Sequence, residues 1–445
     1  MKTVFAVSLG CPKNLVDTEV LLGLLQEAGY TPCEEIEEAD LLLVNTCGFI
    51  QSAVEEGIDE ILALAEFKEQ RPGRRLVVAG CLVQRYGAEL AKELPEVDLF
   101  LGTDAPRDLV AALRGLDQAG PPQVLLGPPA FLMNSRLPRQ LSAPAHRAYL
   151  KVTEGCANRC SYCLIPSLRG PLRSRPLDDL LLEVAALERH GVREVSLVAQ
   201  DLTAYGHDLG PGSARLVELL AALLAESSIP WFRLLYLYPV RVDDRLLEFI
   251  AANPRIVPYL DIPLQHVSDH VLAAMKRPYG ISMIEELLGR IRVILPHAAI
   301  RSTFMVGFPG ETEEDVQQLA VFMERHQLDH VGIFAYSDEE GCAAYRLPDK
   351  CDNTLKEERR ERLMALQAEI SLARNQAMVG RVESVLVDGV SRESDLLLEG
   401  RTRFQAPDID GCVYITSGMC NPGDFVEVRI TEAHPYDLVG EMVEE

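Results

Sequence analysis

Ala148-Tyr149-Leu150-Lys151-Val152-Thr153-Glu154-Gly155-Cys156-Ala157-Asn158-Arg159-Cys160-Ser161-Tyr162-Cys163 joins two unlike texts. Residues 148–152 are apolar and β-favouring and read as a buried strand, and the last eight residues carry three cysteines at the spacing C-x3-C-x2-C. Apolar runs recur downstream near 195–198, 232–237, 258–262, 300–306 and 330–335, with helical text between them. Strand-helix units repeating every ~30 to 40 residues describe a parallel barrel or part of one, whose chemistry sits in the loops after the strands. Six units are visible where a full barrel has eight. The cysteine loop follows the first strand and therefore lies on that face.

Upstream, three segments share one design: Thr3-Val4-Phe5-Ala6-Val7-Ser8-Leu9-Gly10-Cys11, Leu41-Leu42-Leu43-Val44-Asn45-Thr46-Cys47 and Leu76-Val77-Val78-Ala79-Gly80-Cys81. Each reads as a buried strand ending in cysteine, with helical stretches over 17–28 and 53–67 between them. Strand-helix alternation gives an open parallel sheet with all strand C-termini on one edge, so three thiols distant in sequence converge. The start superficially has the form of a lipoprotein signal. Its apolar stretch is short, Ser8 stands where an aliphatic residue is wanted, and the strand-cysteine pattern recurs twice, so a strand is expected there.

From about 103 to 145 the text is rich in Pro, Gly and Gln and reads as an extended linker. An amphipathic helix over 355–378 leads out of the barrel, and short alternating runs at 382–387, 396–398, 413–415 and 425–430 fit a small closed β-barrel. The expected organisation is α/β: an N-terminal parallel-sheet domain over 1–118, a linker over 119–144, a partial (βα)6 barrel over 145–375 and a small β-barrel over 378–445.

The 445 residues include 43 basic and 67 acidic side chains, a net charge of −24, and from Met378 onward 5 basic residues face 14 acidic ones, a net of −9. Such a field repels polyanions and attracts cationic partners, so no direct nucleic-acid binding is expected. No apolar run approaches the ~18 residues of a bilayer span, which predicts a cytoplasmic protein without a membrane partner. Eleven cysteines, an odd number in a long chain, point to metal ligation or catalysis rather than a disulfide scaffold.

Three thiolates on one loop hold three irons of a four-iron cluster and leave the fourth open; a zinc site completed from elsewhere is the alternative, disfavoured because zinc motifs prefer paired C-x2-C knuckles. The Cys156-Cys160-Cys163 loop resembles the signature of radical S-adenosylmethionine enzymes, whose fold is a partial six-unit barrel. The resemblance implies that the open iron binds S-adenosylmethionine and that Tyr162 lies near its adenine. Gln200, Gly307 and Glu311, at expected strand ends on the same mouth, are further candidate cofactor contacts; Gly307 would let backbone approach closely.

The domain order, closed by a barrel of the TRAM type, resembles the methylthiotransferase family over essentially the whole chain. It implies that Cys11, Cys47 and Cys81 hold a second 4Fe-4S cluster; three unrelated buried thiols are the plainer reading of those residues alone. Ser8-Leu9-Gly10-Cys11-Pro12-Lys13-Asn14-Leu15-Val16-Asp17, Asn45-Thr46-Cys47-Gly48-Phe49-Ile50 and the run from Ile165 to Arg175 resemble the branch that modifies ribosomal protein S-twelve, although Thr18 replaces a serine common in the family.

The implied chemistry is methylthiolation of an aspartate β carbon, a C–H bond beyond ordinary acid-base catalysis. One S-adenosylmethionine is cleaved at the barrel cluster to remove the hydrogen, and another methylates a sulfur bound at the second. The implied partners are S-twelve, free or in the small subunit, and a low-potential electron donor such as flavodoxin or ferredoxin. Rival readings are tRNA adenosine methylthiolation, a non-catalytic iron-sulfur electron carrier and a zinc-stabilised interaction protein. Arg159, Arg169, Arg173 and Arg175 crowd the loop after the motif either as carboxylate clamps or as structural groups. His266 reads as a hydrogen-bonded wall residue, and Cys33, Cys342, Cys351, Cys412 and Cys420 carry no assignment.

Overall fold

The computed structural model describes residues 2–116, 120–142 and 144–443. Residues 1, 117–119, 143, 444 and 445, which belong to the ends of the expected domains and linker, lie outside the described residues.

The first sheet contains β1 (Lys2–Ser8), β2 (Tyr30–Pro32), β3 (Leu41–Thr46), β4 (Arg75–Gly80), β5 (Leu99–Leu101) and β6 (Gln123–Leu125). All are parallel, in the order β2-β1-β3-β4-β5-β6. Alternate residues of the central strands enter opposite cores: Leu42, Val44 and Val78 pack on one side, Leu41, Leu43 and Val77 on the other. This is the period of two expected where helices cover both faces of a sheet. The strand β6 lies inside the stretch read as linker, so part of that stretch belongs to the sheet. Three residues with one valine between Pro-Pro and Gly-Pro carry too little periodicity to announce a strand.

Next come β7 (Arg147–Lys151), then β8 (Thr153–Glu154) and β9 (Arg173–Ser174), which pair antiparallel at the base of the cysteine loop. With β10 (Glu194–Val198), β11 (Trp231–Leu234), β12 (Ile256–Asp261), β13 (Ala299–Val306) and β14 (His330–Ala335), β7 forms a second parallel sheet of six strands, ordered β14-β13-β12-β11-β10-β7. Its helices bury a continuous core including Leu197, Leu234, Leu260 and Phe304. The helix Asn353–Gln376 then packs against β14 and leads to a closed barrel.

That barrel consists of β15 (Val382–Val390), β16 (Leu398–Thr402), β17 (Val413–Ile415), β18 (Phe425–Ala433) and β19 (Leu438–Met442). Four strands were expected; β19 is the fifth, and β16 begins where the expected strand ends. In β19 a central Gly440 and an adjacent Glu441 dilute the apolar alternation, yet closure of the barrel requires that strand to pair with both β17 and β18.

One buried cluster draws on all three units: Val16 and Val20 from the first, Tyr149 and Trp231 from the second, Leu386 from the third. Buried charge reinforces the junctions. Glu194 accepts from Arg233 and from Arg401 of the small barrel, each at 2.6 Å, and Arg139 ties Glu19 to Glu183.

Candidate functional site

Each of the first three cysteines sits where a strand hands over to a helix. Cys11 caps the helix Pro12–Glu27, Cys47 lies four residues before the helix Gln51–Glu69, and Cys81 opens the helix Cys81–Glu93. Helix N-termini present unsatisfied N–H groups and a positive dipole end, which favours thiolates. The loops meet closely because of their glycines. Gly10 has φ of +91°, and a Cβ there would stand 2.8 Å from the Cys47 Cβ; a Cβ on Gly48 would stand 2.8 Å from the Cys81 carbonyl oxygen.

Charge completes this corner. Arg169, buried at the end of the short helix Ile165–Arg169 that follows Cys163, donates from Nε to the Cys81 sulfur at 3.2 Å and from its terminal nitrogens to the Asn14 side chain at 2.6 Å and to Asp17. Lys151 bridges Asp17 and Glu154, the latter at 2.8 Å. Burial opposes the charge of Glu154, but Lys151 and Arg169 outweigh it and bring its pKa down to about 2. Burial likewise pushes the Cys11 thiol up, yet the charges of Lys13 and Arg169 and the N–H groups of Asn14 and Lys13 leave it below its ordinary value. Cys81, where burial prevails over Arg169, is raised to about 11.

Cys156, Cys160 and Cys163 lie on a loop pinned from several sides. The Cys156 N–H donates to the Gly170 carbonyl at 3.1 Å and the Ser161 N–H to the Met275 carbonyl at 3.0 Å, while the Ser161 carbonyl accepts from Ala344 at 2.8 Å. Burial drives Cys163 up to about 12, and no cation is among the main influences on Cys156 or Cys163. Tyr162 accepts a hydrogen bond from Arg277 at 2.7 Å. The two loops touch through apolar groups: Cys81, Leu164, Leu168 and Cys342 form one buried cluster with Phe49 packed on it.

Between them opens a cavity of about 500 Å³, lined by Cys11, Cys47 and Cys81 together with Tyr162 and Gln200, and by Ile409 from the small barrel. Cys156, Cys160 and Cys163 are not among its lining residues, nor are Gly307 and Glu311. Gly307 has φ of +73° and its open side faces the Lys356 side chain. Glu311 accepts from the Gly307 N–H at 2.8 Å, pairs with Arg359 at 2.7 Å and approaches His266 Nε2 to 3.3 Å; His266 is fully buried behind the lining, its Nδ1 accepting from the Ser268 N–H at 2.9 Å. Gln200 donates to Glu154 at 3.1 Å, and its buried carbonyl oxygen has no partner. A second cleft, of about 310 Å³, lies at the N-terminal ends of β13 and β14 against the small barrel and has no cysteine in its lining.

Among the described residues no three His, Cys, Asp or Glu side chains stand as ligands of a single metal ion. A four-iron cluster asks for something different, thiolates spread around a cubane with other sulfurs between them. The residues fit such a group: two sets of three unpaired cysteines on glycine-rich or tightly pinned loops, and beside them an orphaned buried acceptor suited to a ligand's N–H. Sequence reading left Arg169 open and gave Lys13, Tyr236 and Arg277 no role. Their partners come from distant segments that only the fold brings together.

The comparisons agree with this layout. Residues 3–102 match the model described as uncharacterized protein family UPF0004, residues 150–323 the Radical SAM superfamily and residues 379–443 the TRAM domain. Membership of the Radical SAM superfamily implies a 4Fe-4S cluster and S-adenosylmethionine. Among solved structures, the radical S-adenosylmethionine methyltransferase TsrM from Kitasatospora setae aligns with a TM-score of 0.55 at 16% identity, over 75% of this chain and 73% of that one. The cobalamin-dependent S-adenosylmethionine radical enzyme OxsB aligns at 0.52 and 13% identity, over 83% of this chain and 56% of that one. At such identities they speak for the fold alone.

Closer relatives cover nearly everything. The ribosomal protein uS12 methylthiotransferase RimO of Desulfotalea psychrophila is 54% identical over 98% of both chains. The proteins of that name from Trichlorobacter lovleyi and Geobacter sulfurreducens are 50% and 49% identical, each over 99% of this chain and 98% of their own. With both cysteine sets, the partial barrel and the TRAM barrel inside that alignment, the chain belongs to the RimO family of radical S-adenosylmethionine methylthiotransferases.

Proposed function

We propose that the protein adds a methylthio group to the β carbon of an aspartate in ribosomal protein S-twelve. The observation that carries the reading is the shared cavity: the thiols of Cys11, Cys47 and Cys81 open into the same space as Tyr162 and Gln200. In this reading Cys156, Cys160 and Cys163 hold one 4Fe-4S cluster, and Cys11, Cys47 and Cys81 hold a second. Tyr162, Gln200, Gly307 and Glu311 serve S-adenosylmethionine, the first two as contacts at the cavity and the last two as the support of its wall. When bound, these groups supply one-electron removal of a hydrogen atom from an unactivated carbon and an iron-held sulfur to replace it.

The chain's own residues supply proximity and exclusion of water. Arg169 joins the two cysteine regions by holding the Cys81 sulfur and the Asp17 carboxylate from the short helix that follows Cys163. The lining is mostly apolar, with Phe49, Leu168, Leu237 and Phe304 among it, which keeps a reactive site dry. Ile409 brings the TRAM barrel to the same cavity, so a protein substrate held by that barrel would reach the space that Cys11, Cys47 and Cys81 share with Tyr162.

The stretch from Met378 onward carries −9, which favours a cationic ribosomal protein over a polynucleotide, and we assign no direct nucleic-acid binding. No helix among the described residues is long and apolar enough to cross a membrane, and a cytoplasmic location is proposed from the substrate. A low-potential donor such as flavodoxin or ferredoxin supplies electrons. The domain division proposed is 1–118, 119–144, 145–375 and 378–445, with β6 of the junction seated on the first sheet.

The test is anaerobic reconstitution with reductant and S-adenosylmethionine, following the masses of S-twelve and of a tRNA pool in parallel. One methylthio group on an S-twelve aspartate, with deoxyadenosine released, is expected. Modification of tRNA alone would overturn the reading.

A further inference from the structure

Four cations line the cavity: Lys13, Arg169, Arg277 and Arg301. Arg169 is committed to Asp17 with Glu154 at 3.6 Å, and Arg301 to Asp261 at 2.9 Å. Arg277 donates to the Tyr162 phenol at 2.7 Å and lies among the rings of Tyr162, Tyr238 and Tyr279. Lys13 is only 7% exposed, and its ammonium sits 3.6 Å over the ring of Tyr236 with no carboxylate partner among the described residues. The two carboxylates lining the cavity are already taken, Asp261 by Arg301 and Glu339 by Arg85 at 2.7 Å. The ammonium has Tyr236 and Cys11 as its neighbours and keeps its charge there, so an arriving carboxylate would meet a cation that no other carboxylate has claimed.

The platform beneath it is fixed. Tyr236 holds a positive φ of 64°, unusual for an aromatic residue, with its N–H donating to Asp261 at 2.9 Å and its carbonyl accepting from Leu202 at 2.9 Å. Lys13 itself stands in the first turn of the helix that Cys11 caps, on the same side of the cavity as the first three thiols.

We propose that Lys13 is a specificity-determining residue that binds the side-chain carboxylate of the target residue. The inference rests on the assignment of an aspartate substrate made above. In an aspartate the β carbon is bonded directly to the carboxylate carbon, so a cation gripping that carboxylate fixes the reacting carbon beside Cys11, Cys47 and Cys81. The neutral amide of asparagine is disfavoured because its oxygen offers the ammonium a hydrogen bond without the charge that strengthens it.

The test uses the reconstituted full chain and two S-twelve peptides, one with the target aspartate and one with asparagine in its place. Binding is read by anaerobic fluorescence anisotropy, and iron is measured on every protein. The native protein is expected to prefer the aspartate peptide by about tenfold to a hundredfold, the scale of a charge-assisted hydrogen bond. Lys13→Met should bind both peptides alike with iron retained, and Lys13→Arg should keep a preference.

Absence of a preference in the native protein overturns the proposal. So does a Lys13→Met protein that still discriminates, as it would if Arg277 took the carboxylate, or one that loses iron, which would give the ammonium to the cluster. If the native protein leaves S-twelve unmodified, the substrate assignment itself fails, an outcome distinct from a Lys13 failure on a protein that does modify it.

Discussion

Cys156, Cys160 and Cys163 are gathered by eight residues of one loop, whereas Cys11, Cys47 and Cys81 meet because three parallel strands end on one edge of a sheet. The surroundings differ as well. The loop set has burial and neighbouring thiols as its dominant influences, and the sheet-edge set has Lys13 and Arg169 beside it. A cluster that gains an electron gains negative charge, so the corner with Lys13 and Arg169 favours the reduced form of whatever it holds more than the loop does, where Arg277 faces Cys160 but no cation is among the main influences on Cys156 or Cys163. Two sets of three cysteines therefore stand in different surroundings, set by charges that arrive from elsewhere in the fold.

The division is broken most severely by removing one set at a time. Replacing Cys156, Cys160 and Cys163 with alanine should abolish deoxyadenosine formation. Replacing Cys11, Cys47 and Cys81 should leave that cleavage measurable and abolish sulfur insertion into S-twelve. Loss of cleavage in both variants would mean that the sets do not act separately.

Arg169→Met cuts the link between them. It leaves Asp17 and Glu154 short of a buried partner, at a cost of about 3–5 kcal/mol in denaturant unfolding. It should also lower the midpoint potential of the sheet-edge cluster, followed by spectroscopic titration in a protein lacking the other three cysteines. Arg169→Lys should recover part of the stability but not the hydrogen bond to Cys81. The pH dependence has a definite sign. Glu154 has a folded pKa of about 2, below its unfolded value of about 4.3, so its contribution is present above the unfolded value and is lost as the pH falls toward 2. The Arg169→Met protein should show less of this acid dependence.

Gly48→Ala tests the close approach of the loops. A methyl group 2.8 Å from the Cys81 carbonyl oxygen has no flexible neighbour to displace, so about 1–3 kcal/mol of destabilisation is expected. Iron should be lost selectively from the sheet-edge set, leaving deoxyadenosine formation in place.

The smallest effect concerns the cluster-free protein. Cys11, held below its ordinary pKa, should react with iodoacetamide near neutral pH roughly tenfold or more faster than Cys163, which burial holds near 12. Raising the pH should narrow that gap. Equal rates near neutrality would show that the cations beside Cys11 do not act on it.

The contrast also explains what could be read from the residues alone. The loop set and its barrel strand were legible because ligand spacing and strand alternation are local properties. The sheet-edge set was legible one step further, through the rule that parallel strands end on one edge. The short strands β2, β5, β6 and β19 escaped because three to five residues carry no usable period, the more so in β2 and β19, which Pro, or Gly and Glu, interrupt. Arg169 and Lys13 stood in the quoted motifs, but their meaning lies in partners such as Cys81 and Tyr236, which only tertiary structure supplies. Gly307 and Glu311 were legible as strand-end residues, while their burial against Lys356 and Arg359 depends on a helix some fifty residues later.

The central claim, two separate three-cysteine cluster sites in one chain, is tested most directly by iron content after anaerobic reconstitution. The native protein should hold about eight irons per chain, and each triple-alanine variant about four, with a different electron paramagnetic resonance signal surviving in each. If removing Cys11, Cys47 and Cys81 left all the iron in place, or removing either set lost all of it, the account of two independent sites would be contradicted.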